Sequence, residues 1–362
     1  MTSTWVNKPL GELVSLQRGF DLPTKNRVPG QYPVISAGES IGTHNVAKVK
    51  GPGFAIGRIT NLGQPHWSDS NFWPLNTTLF ATDFHGNNPK WLFYLFKVLD
   101  LRGFDSGSVQ PSLNRNYISN VSVSTPPRET QDNIVSVLKS LDDKIAANSR
   151  IIKIATHLNI NLVEKAVTKE LEHLQNLADI TMGSSPKGEF LNEEGIGEPF
   201  FQGVRDFGEL FPSERVFAEK AVRTAQEGDI LFAVRAPIGE VNIAERPCVI
   251  GRGIAAIRGK QSHLGLFYLL KGHPELWVTY QSSGTVFAGI NKSDLHNAVI
   301  PVLRDSEKLE QQLTPIHERA MHALRENQAL ARTRDELLPL LMSGRITVGE
   351  AEEAADEAAS ES

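Results

Sequence analysis

The chain has 362 residues, and at about 100–200 residues per domain that length predicts two domains or more. Hydrophobic residues make up 40% of the sequence and charged residues 22%, a mixture that excludes a wholly disordered or collagen-like chain. The formal net charge is −5, but the segment 349–362 carries six acids and no base, which leaves 36 acids against 37 bases elsewhere. Overall charge therefore argues neither for nor against a nucleic-acid partner, and we expect segment 349–362 to be a disordered, solvated tail.

The chain shows no sign of secretion or membrane insertion. The densest apolar stretch, 91–99, is already interrupted by Lys97, and residues 1–10 lack the basic and apolar regions of a secretory signal. The single cysteine, Cys248, cannot form an internal disulfide or a cysteine-based zinc site. We therefore expect a cytoplasmic protein.

Residues 1–128 are predicted to form a first domain of mixed α/β class. Strand-like runs alternate with turns rich in glycine, proline and asparagine, and a short helix is predicted over 89–99. A second domain of the same kind is predicted over 170–305. Its strand-like runs include 230–235 and 254–258, and its short helix covers 263–271.

A long helix is predicted to follow each domain, over 129–169 and 306–348. Apolar or small residues recur in the first helix with a period of 3.5, as in a coiled coil: Ile134, Leu138, Leu141, Ile145, Ile152, Ala155, Leu162 and Ala166. The second helix repeats the pattern 179 residues later, and Gly344 is a natural stop. Asn148 and Asn159 interrupt the first stripe, and Asn148 has a counterpart at the matching position in Asn327. A polar side chain at such a position fixes the register of a helix pair, and the alternative is that Asn148 and Asn159 point into water.

The two halves of the chain resemble each other over long stretches. In the first half, Phe54-Ala-Ile-Gly-Arg58 resembles Leu231-Phe-Ala-Val-Arg235 of the second. Leu92-Phe-Tyr-Leu-Phe-Lys97 matches Leu266-Phe-Tyr-Leu-Leu-Lys271. Repeats this long indicate a duplicated domain. Two such domains joined by two antiparallel helices predict a pseudo-two-fold arrangement within one chain, which DNA readers use to contact two half-sites.

Signals for catalysis are weak. The run Gly251-Arg-Gly-Ile-Ala-Ala256 fits a dinucleotide-binding pattern only loosely, and no histidines are paired at the spacing of metal ligands. A duplicated body without a recognisable nucleophile or acid–base pair favours binding over chemistry. We therefore expect a protein that is not an enzyme, with no cofactor and no metal in this chain.

The layout resembles the specificity subunit of type I restriction–modification enzymes. Three segments carry the resemblance: Ser106-Gly-Ser-Val-Gln-Pro-Ser-Leu-Asn-Arg115, Ser283-Gly-Thr-Val-Phe-Ala-Gly-Ile-Asn-Lys292 and Leu337-Leu-Pro-Leu-Leu-Met-Ser-Gly-Arg-Ile346. The resemblance implies two target-recognition domains that each read one part of a bipartite DNA site. It also implies spacer helices that bind two methyltransferase subunits, and restriction subunits that complete the complex. S-adenosylmethionine, ATP and magnesium would act in those partners.

Candidate DNA-reading residues follow from the chemistry of base edges, where Arg or Lys reads guanine and Asn or Gln reads adenine. The candidates are Arg58, Gln110, Asn114 and Arg115 in the first domain, and Gln202, Arg205, Arg235, Asn291 and Lys292 in the second. Lys48 and Lys50 are candidate phosphate contacts, which orient the protein without specifying sequence. For each arginine the alternative is a solvated residue or a surface ion pair worth about 0–1 kcal/mol. For Asn114 and Asn291 it is a turn that both repeats share.

Another function remains open at this point. The duplicated domains would equally suit a scaffold that binds proteins rather than DNA, with the helices as a coiled-coil spacer. A restriction enzyme with its own nuclease or methylase is disfavoured, because the motifs of such enzymes are missing from the sequence.

Overall fold

The computed structural model describes residues 5–101, 103–104, 112–281 and 289–360. The chain forms two compact units. Unit 1 comprises Met1–Ala146 and Glu326–Ser362, and unit 2 comprises Ala147–Arg325. Each unit therefore contains one α/β domain and one segment of each long helix.

Unit 1 is built on a four-stranded antiparallel sheet with strand order β2-β8-β5-β6. A smaller sheet has the order β4-β3-β7, and a two-stranded ribbon pairs β1 with β9. The strands are β1 Val6–Pro9, β2 Ser15–Arg18, β3 Tyr32–Ser36, β4 Glu39–His44, β5 Gly53–Gly57, β6 Pro65–Ser68, β7 Trp73–Pro74, β8 Thr78–Asp83 and β9 Ser122–Thr125. The helices of this domain are α1 Leu10–Leu13, α2 Pro89–Val98 and α3 Arg115–Ile118.

Helix α2 supplies a large part of the apolar core of unit 1. The side chain of Asn88 caps it by accepting hydrogen bonds from the backbone N–H groups of Lys90 and Trp91. Pro89 lies in the first turn, where its missing backbone N–H costs no hydrogen bond within the helix. Its residues 91–96 are all buried. They pack against the four-stranded sheet and the first long helix in one apolar cluster. The predicted helix over 89–99 is therefore confirmed.

Unit 2 repeats the topology. Its four-stranded sheet has the order β11-β19-β16-β17, its second sheet the order β12-β14-β13-β18-β15, and its ribbon pairs β10 with β20. The strands are β10 Val167–His173, β11 Ala178–Met182, β12 Leu191–Asn192, β13 Glu198–Phe201, β14 Phe217–Ala218, β15 Thr224–Ala225, β16 Ile230–Ala233, β17 Val241–Ile243, β18 Cys248–Ile250, β19 Ile254–Gly259 and β20 Val299–Leu303. The helices are α5 Leu174–Leu177, α6 His263–Gly272, α7 Val278–Gln281 and α8 Lys292–His296. The predicted duplication and the mixed α/β class are thus confirmed.

The two sheets align with a separation of 176 residues, which corrects the sequence alignment around Arg58. The backbone N–H of Arg58 donates to the carbonyl oxygen of Thr77, and the backbone N–H of Val234 donates to that of Gly253, both at 2.9 Å. Val234 is therefore the equivalent of Arg58, and Arg235 that of Ile59. The shift of one residue matters because successive side chains of a strand point to opposite faces.

The long helices are α4 (Arg128–Ala166) and α9 (Ser306–Ser343). In unit 1, the Asn327 side-chain amide donates to the carbonyl oxygen of Ile145 at 3.2 Å, and Arg334 donates to Asp142 at 3.0 Å. These pairs run in opposite chain directions, so the two segments are antiparallel. In unit 2, Asn159 Nδ2 lies 3.5 Å from the carbonyl oxygen of Leu313, so the two helices are also in contact there.

Both long helices end before their predicted limits. Helix α4 stops at Ala166 because the next residues pair with β20 as strand β10. Helix α9 stops at Ser343, where Gly344 adopts a φ of +69° and its N–H bonds to the carbonyl oxygen of Leu341. A glycine with positive φ is a common helix terminus, so Gly344 is confirmed as the stop.

The acidic tail is not disordered over its described part, which corrects the prediction. Residues Val348–Ser360 form helix α10. At its start the Glu350 backbone N–H donates to the Thr347 hydroxyl, and the Glu350 carboxylate accepts from the Thr347 backbone N–H, which is a capping box. Hydrogen bonds from the backbone and hydroxyl of Thr347 lower the pKa of the Glu350 carboxyl. Ala351 is fully buried in the apolar cluster of unit 1. Alanines that recur every three or four residues give this helix an apolar face. The acidic composition of the segment did not predict that face.

Candidate nucleic-acid interface

One end of the four-stranded sheet of unit 1 carries a group of polar side chains, here called rim 1: Arg18, Asp21, Ser36, Arg58 and Asn76. Arg18 ends β2, and Arg58 follows β5 at the same end of the sheet. Arg18 Nε and Arg58 Nη1 each donate to the carbonyl oxygen of Asn76, both at 3.3 Å. The Asn76 side-chain amide donates in turn to Asp21. These hydrogen bonds hold two guanidinium groups beside each other.

The guanidinium pair is electrostatically unfavourable by itself. Partial burial and the positive charge of Arg18 both lower the pKa of Arg58. Within the described residues, neither arginine forms an ion pair with a carboxylate. The arrangement is therefore ready to accept an anion.

A second element borders rim 1. Ser112 forms an isolated bridge with Ile59, and the next residues lead into α3. Arg115 is exposed, and its Nη1 lies 3.4 Å from the carbonyl oxygen of Leu16 in β2. The predicted residue Gln110 lies outside the described residues.

The corresponding end of the sheet in unit 2 carries rim 2: Ser185, Gln202, Arg235 and Arg252. The Ser185 hydroxyl lies 2.7 Å from Gln202 Oε1 and accepts a hydrogen bond from the backbone N–H of Arg252 at 3.2 Å. Arg235 is exposed, and its backbone forms a bridge with Gly289. A Cβ on Gly289 would lie 3.1 Å from Arg235 Nη1, so the guanidinium lies directly over that glycine.

The two rims occupy equivalent places but differ in their residues. Strand pairing makes Gln202 the equivalent of Ser36 and Arg252 the equivalent of Asn76. The positions of Arg18 and Arg58 are held in unit 2 by Met182 and Val234. Each domain therefore presents a different pattern of donors and acceptors on the same framework.

The asparagines before the short helices have a structural task. Asn114 accepts a hydrogen bond from the backbone N–H of Asn116 at 2.9 Å, and so caps α3. Asn291 caps α8 in a capping box with Asp294. Both asparagines therefore make the contacts expected of a turn that the two repeats share, which is the alternative role given for them in the sequence analysis.

The remaining predicted residues are exposed. Arg205 lies on a short 3-10 turn and Lys292 begins α8. Within the described part of the chain, the Arg205 side chain makes no hydrogen bond or ion pair. Lys48 lies over the Trp73 ring, with its Nζ 5.3 Å from the ring centre, and Lys50 is exposed beside it. A role for any of these residues in DNA binding stays a prediction.

Sequence reasoning missed Arg18 and Arg252. Arg18 lies two residues beyond Leu16, which belongs to a segment that both halves of the chain share, so its position in the repeat could have marked it as a candidate. Arg252 lies in the glycine-rich run that was assessed as a dinucleotide motif. Gly251 and Gly253 pack closely against Gln202 instead, since a Cβ on either would fall within 2.5 Å of a Gln202 atom. These glycines shape rim 2.

Each domain is fixed to its helix segments by equivalent contacts. In unit 1, Gln131 of α4 accepts a hydrogen bond at 2.9 Å from the backbone N–H of Asn88, the residue that caps α2. In unit 2, Glu310 of α9, 179 residues later, accepts hydrogen bonds from Ser262 at 2.6 Å and from the backbone N–H of Leu264 at 3.1 Å. A spacer helix therefore caps a domain helix in both units.

Buried polar pairs add to this fixation. The Tyr94 hydroxyl donates to Asp142 at 2.6 Å in unit 1, and burial raises the pKa of Tyr94. In unit 2 the Tyr268 hydroxyl lies 2.9 Å from His317 Nδ1. Burial raises the pKa of Tyr268 to about 12 and lowers that of His317 to about 4. His317 is thus neutral near pH 7 and serves as a structural group.

The asparagines on the helix stripe are also engaged. Asn148 is 1% exposed, so its side chain does not point into water, and Asn327 bonds to Ile145 as described above. Their proposed role in setting register stays a prediction.

Other chemical features are few in the described ranges. They contain no group of three or more His, Cys, Asp or Glu side chains arranged to hold a metal ion. Burial raises the pKa of the Cys248 thiol to about 12, which makes it unreactive. Among these residues no helix combines the length and apolar character that crossing a membrane requires.

Comparison with known proteins identifies the family. A family model described as the type I restriction modification DNA specificity domain matches twice, at residues 2–156 and 167–312. The type I restriction enzyme MjaX specificity subunit of Methanocaldococcus jannaschii is 27% identical over 310 residues, which is 76% of this chain and 72% of the relative. The MjaIX specificity subunit of the same organism is 24% identical over 307 residues, with coverage of 72% and 70%.

A solved structure supports the fold. The S subunit of a type I restriction–modification system from M. genitalium aligns with a TM-score of 0.66 at 16% identity, over 94% of this chain and 96% of that one. The two family matches correspond to the two repeated domains described above. The chain therefore belongs to the type I restriction–modification specificity family, as a specificity subunit with two DNA specificity domains.

Proposed function

We propose that each specificity domain reads one half of a bipartite, asymmetric DNA target. The observation that carries this proposal is the pair of rims, which occupy the same place on the same framework with unlike polar residues. Two copies of one reader with identical rims would favour a symmetric site. Rims 1 and 2 differ at the equivalents of Ser36, Arg58 and Asn76, so the two half-sites should differ in sequence.

The side chains suit the chemistry of DNA. Arginine reads guanine through two parallel hydrogen bonds, and glutamine reads adenine in the same way. Arg115 beside rim 1 and Arg235 with Gln202 in rim 2 supply these groups, since all three are exposed. The surplus of positive charge in each rim complements the phosphate backbone, although the chain as a whole is acidic.

We further propose that the helix pair docks methyltransferase subunits and that restriction subunits join the complex. Catalysis would then belong to the partners, with S-adenosylmethionine, ATP and magnesium bound there, and this chain would supply recognition. Two apolar residues on α4 support docking. Ile154 is 67% exposed and Leu158 46% exposed, and they lie one helical turn apart on one face.

The double variant Ile154→Gln/Leu158→Gln is expected to bind methyltransferase subunits at least about tenfold more weakly, because docking would no longer bury two large apolar side chains. Fold stability should hardly change, since both residues face solvent. Lys153→Gln is the matched control on the flank of the same helix, and should bind normally. Titration of the labelled chain with purified methyltransferase subunits measures the effect, and unaltered affinity of the double variant would refute this docking face.

DNA binding itself separates this function from a protein-binding scaffold. The assembled complex is expected to bind a DNA duplex with an affinity that falls steeply as salt concentration rises, because phosphate contacts release counterions. Measurement of the dissociation constant at several salt concentrations tests this. A complex that assembles but shows no salt-dependent DNA binding would favour the scaffold instead.

A further inference from the structure

Arg18 and Arg58 form a pair with no counterpart in unit 2. Their guanidinium groups share one acceptor, the carbonyl oxygen of Asn76, at 3.3 Å each. A guanidinium has five N–H donors. Within the described residues, that shared bond is the one side-chain hydrogen bond that each of them makes. Within the described part of the chain, most of the donors of both groups therefore have no partner.

Among the residues that the structure describes, no carboxylate neutralises this pair. Asp21 is the carboxylate in rim 1, and it accepts a hydrogen bond from the side chain of Asn76. Some other arginines do have a carboxylate partner, as Arg246 does with Glu214 at 2.6 Å and Arg258 with Asp229 at 2.6 Å. Two adjacent guanidinium groups at the end of a sheet repel each other, and a ligand with negative charge would relieve this repulsion.

The number and placement of the donors favour one kind of anion. A guanine edge is satisfied by a single arginine through two parallel hydrogen bonds. A phosphate carries a full charge and several acceptor oxygens, and it suits donors that converge from two side chains. In unit 2 the equivalent positions hold Met182 and Val234, so this feature belongs to unit 1 alone.

We propose that Arg18 and Arg58 together bind one phosphate of the DNA backbone at the half-site read by unit 1, with Arg18 as the dedicated phosphate contact. This inference rests on the proposed function and adds a residue to it. A phosphate contact fixes the position of the domain on the duplex without reading bases. Arg18 should therefore contribute to affinity and salt dependence, but not to sequence preference.

The test uses the complex of the full chain with its methyltransferase subunits and a randomised DNA duplex library. Arg18→Gln is expected to weaken binding about tenfold at low salt and to reduce the slope of log affinity against log salt by about 1. The bases enriched from the library should stay the same in both half-sites. Arg18→Lys should restore the slope, because lysine also binds phosphate as a point charge.

Lys8→Gln is the control for loss of one positive charge, since Lys8 is exposed on the separate ribbon strand β1; its slope should equal that of the wild type. Unchanged affinity and slope in Arg18→Gln would overturn the inference. So would a relaxed base preference in one half-site with an unchanged slope, which would make Arg18 a base reader. A wild-type complex that enriches no split motif would instead remove the proposed function, so the two failures are distinguishable.

Discussion

Replacement of Arg235 by alanine is expected to weaken recognition of the half-site read by unit 2 by about 1–3 kcal/mol, and to leave the other half-site unchanged. Arg235 is exposed at the end of the four-stranded sheet of unit 2, and its guanidinium lies over Gly289. It makes no ion pair within the described residues. Its donors are therefore available for a base edge. Loss of a base contact removes both binding energy and preference for one base.

The effect is measured by selection of a randomised duplex library with the assembled complex. Arg246→Ala is the matched control, because Arg246 is also a surface arginine of unit 2 but is bound by both carboxylate oxygens of Glu214. Loss of such a surface pair costs about 0–1 kcal/mol of stability and no specificity. The role of Arg235 would be disproved if Arg235→Ala gave the affinity and the enriched bases of the wild type.

Replacement of Gly183 by alanine is expected to destabilise unit 2 by about 3 kcal/mol or more. Gly183 follows β11 and lies against the backbone of the strand end that carries Arg252. A Cβ there would fall 2.2 Å from the carbonyl oxygen of Gly251 and 2.6 Å from that of Ile254. Since these are backbone atoms, the methyl group can be accommodated only if the sheet itself moves.

Gly188→Ala is the control, because no atom lies within 4 Å of a Cβ at that position. Hydrogen exchange read peptide by peptide, with urea unfolding, should show loss of protection in unit 2 for Gly183→Ala and little change for Gly188→Ala. Equal stabilities of the two variants would contradict the close packing. Gly19 is the equivalent glycine of unit 1, with Cβ distances of 2.2 Å and 2.5 Å to the carbonyl oxygens of Leu75 and Pro74, and alanine there should affect unit 1 in the same way.

The architecture was predictable because its signals are periodic and repeated. The 3.5-residue stripe predicted the long helices, and the repeated Leu-Phe-Tyr-Leu segments predicted equivalent core helices. These features depend on burial of apolar side chains, which a sequence records directly. The end of α4 was less predictable, since residues 167–169 continue as strand only because β20 lies beside them.

The site was only partly predictable, for physical reasons that particular residues illustrate. Arg58 and Arg235 align in the sequence, but strand register separates them by one residue, and register depends on pairing between distant segments. Arg18 gains its significance from Asn76, which lies 58 residues away. The side-chain oxygens of Asn114 and Asn291 cap short helices, and a role of either residue in base reading stays a prediction. Residue type identifies which chemistry a site can perform, whereas hydrogen-bond partners determine which residues are available for it.

Two unlike domains in one chain are proposed to read two unlike halves of a DNA site. Single-molecule sequencing of the host genome, with and without this chain, is the sharpest test, because methylated bases mark the target. We expect methylation at one split motif with different bases in its two halves, which disappears when the chain is deleted. A symmetric or continuous motif, or methylation that persists unchanged after the deletion, would show that the two domains do not read unlike half-sites.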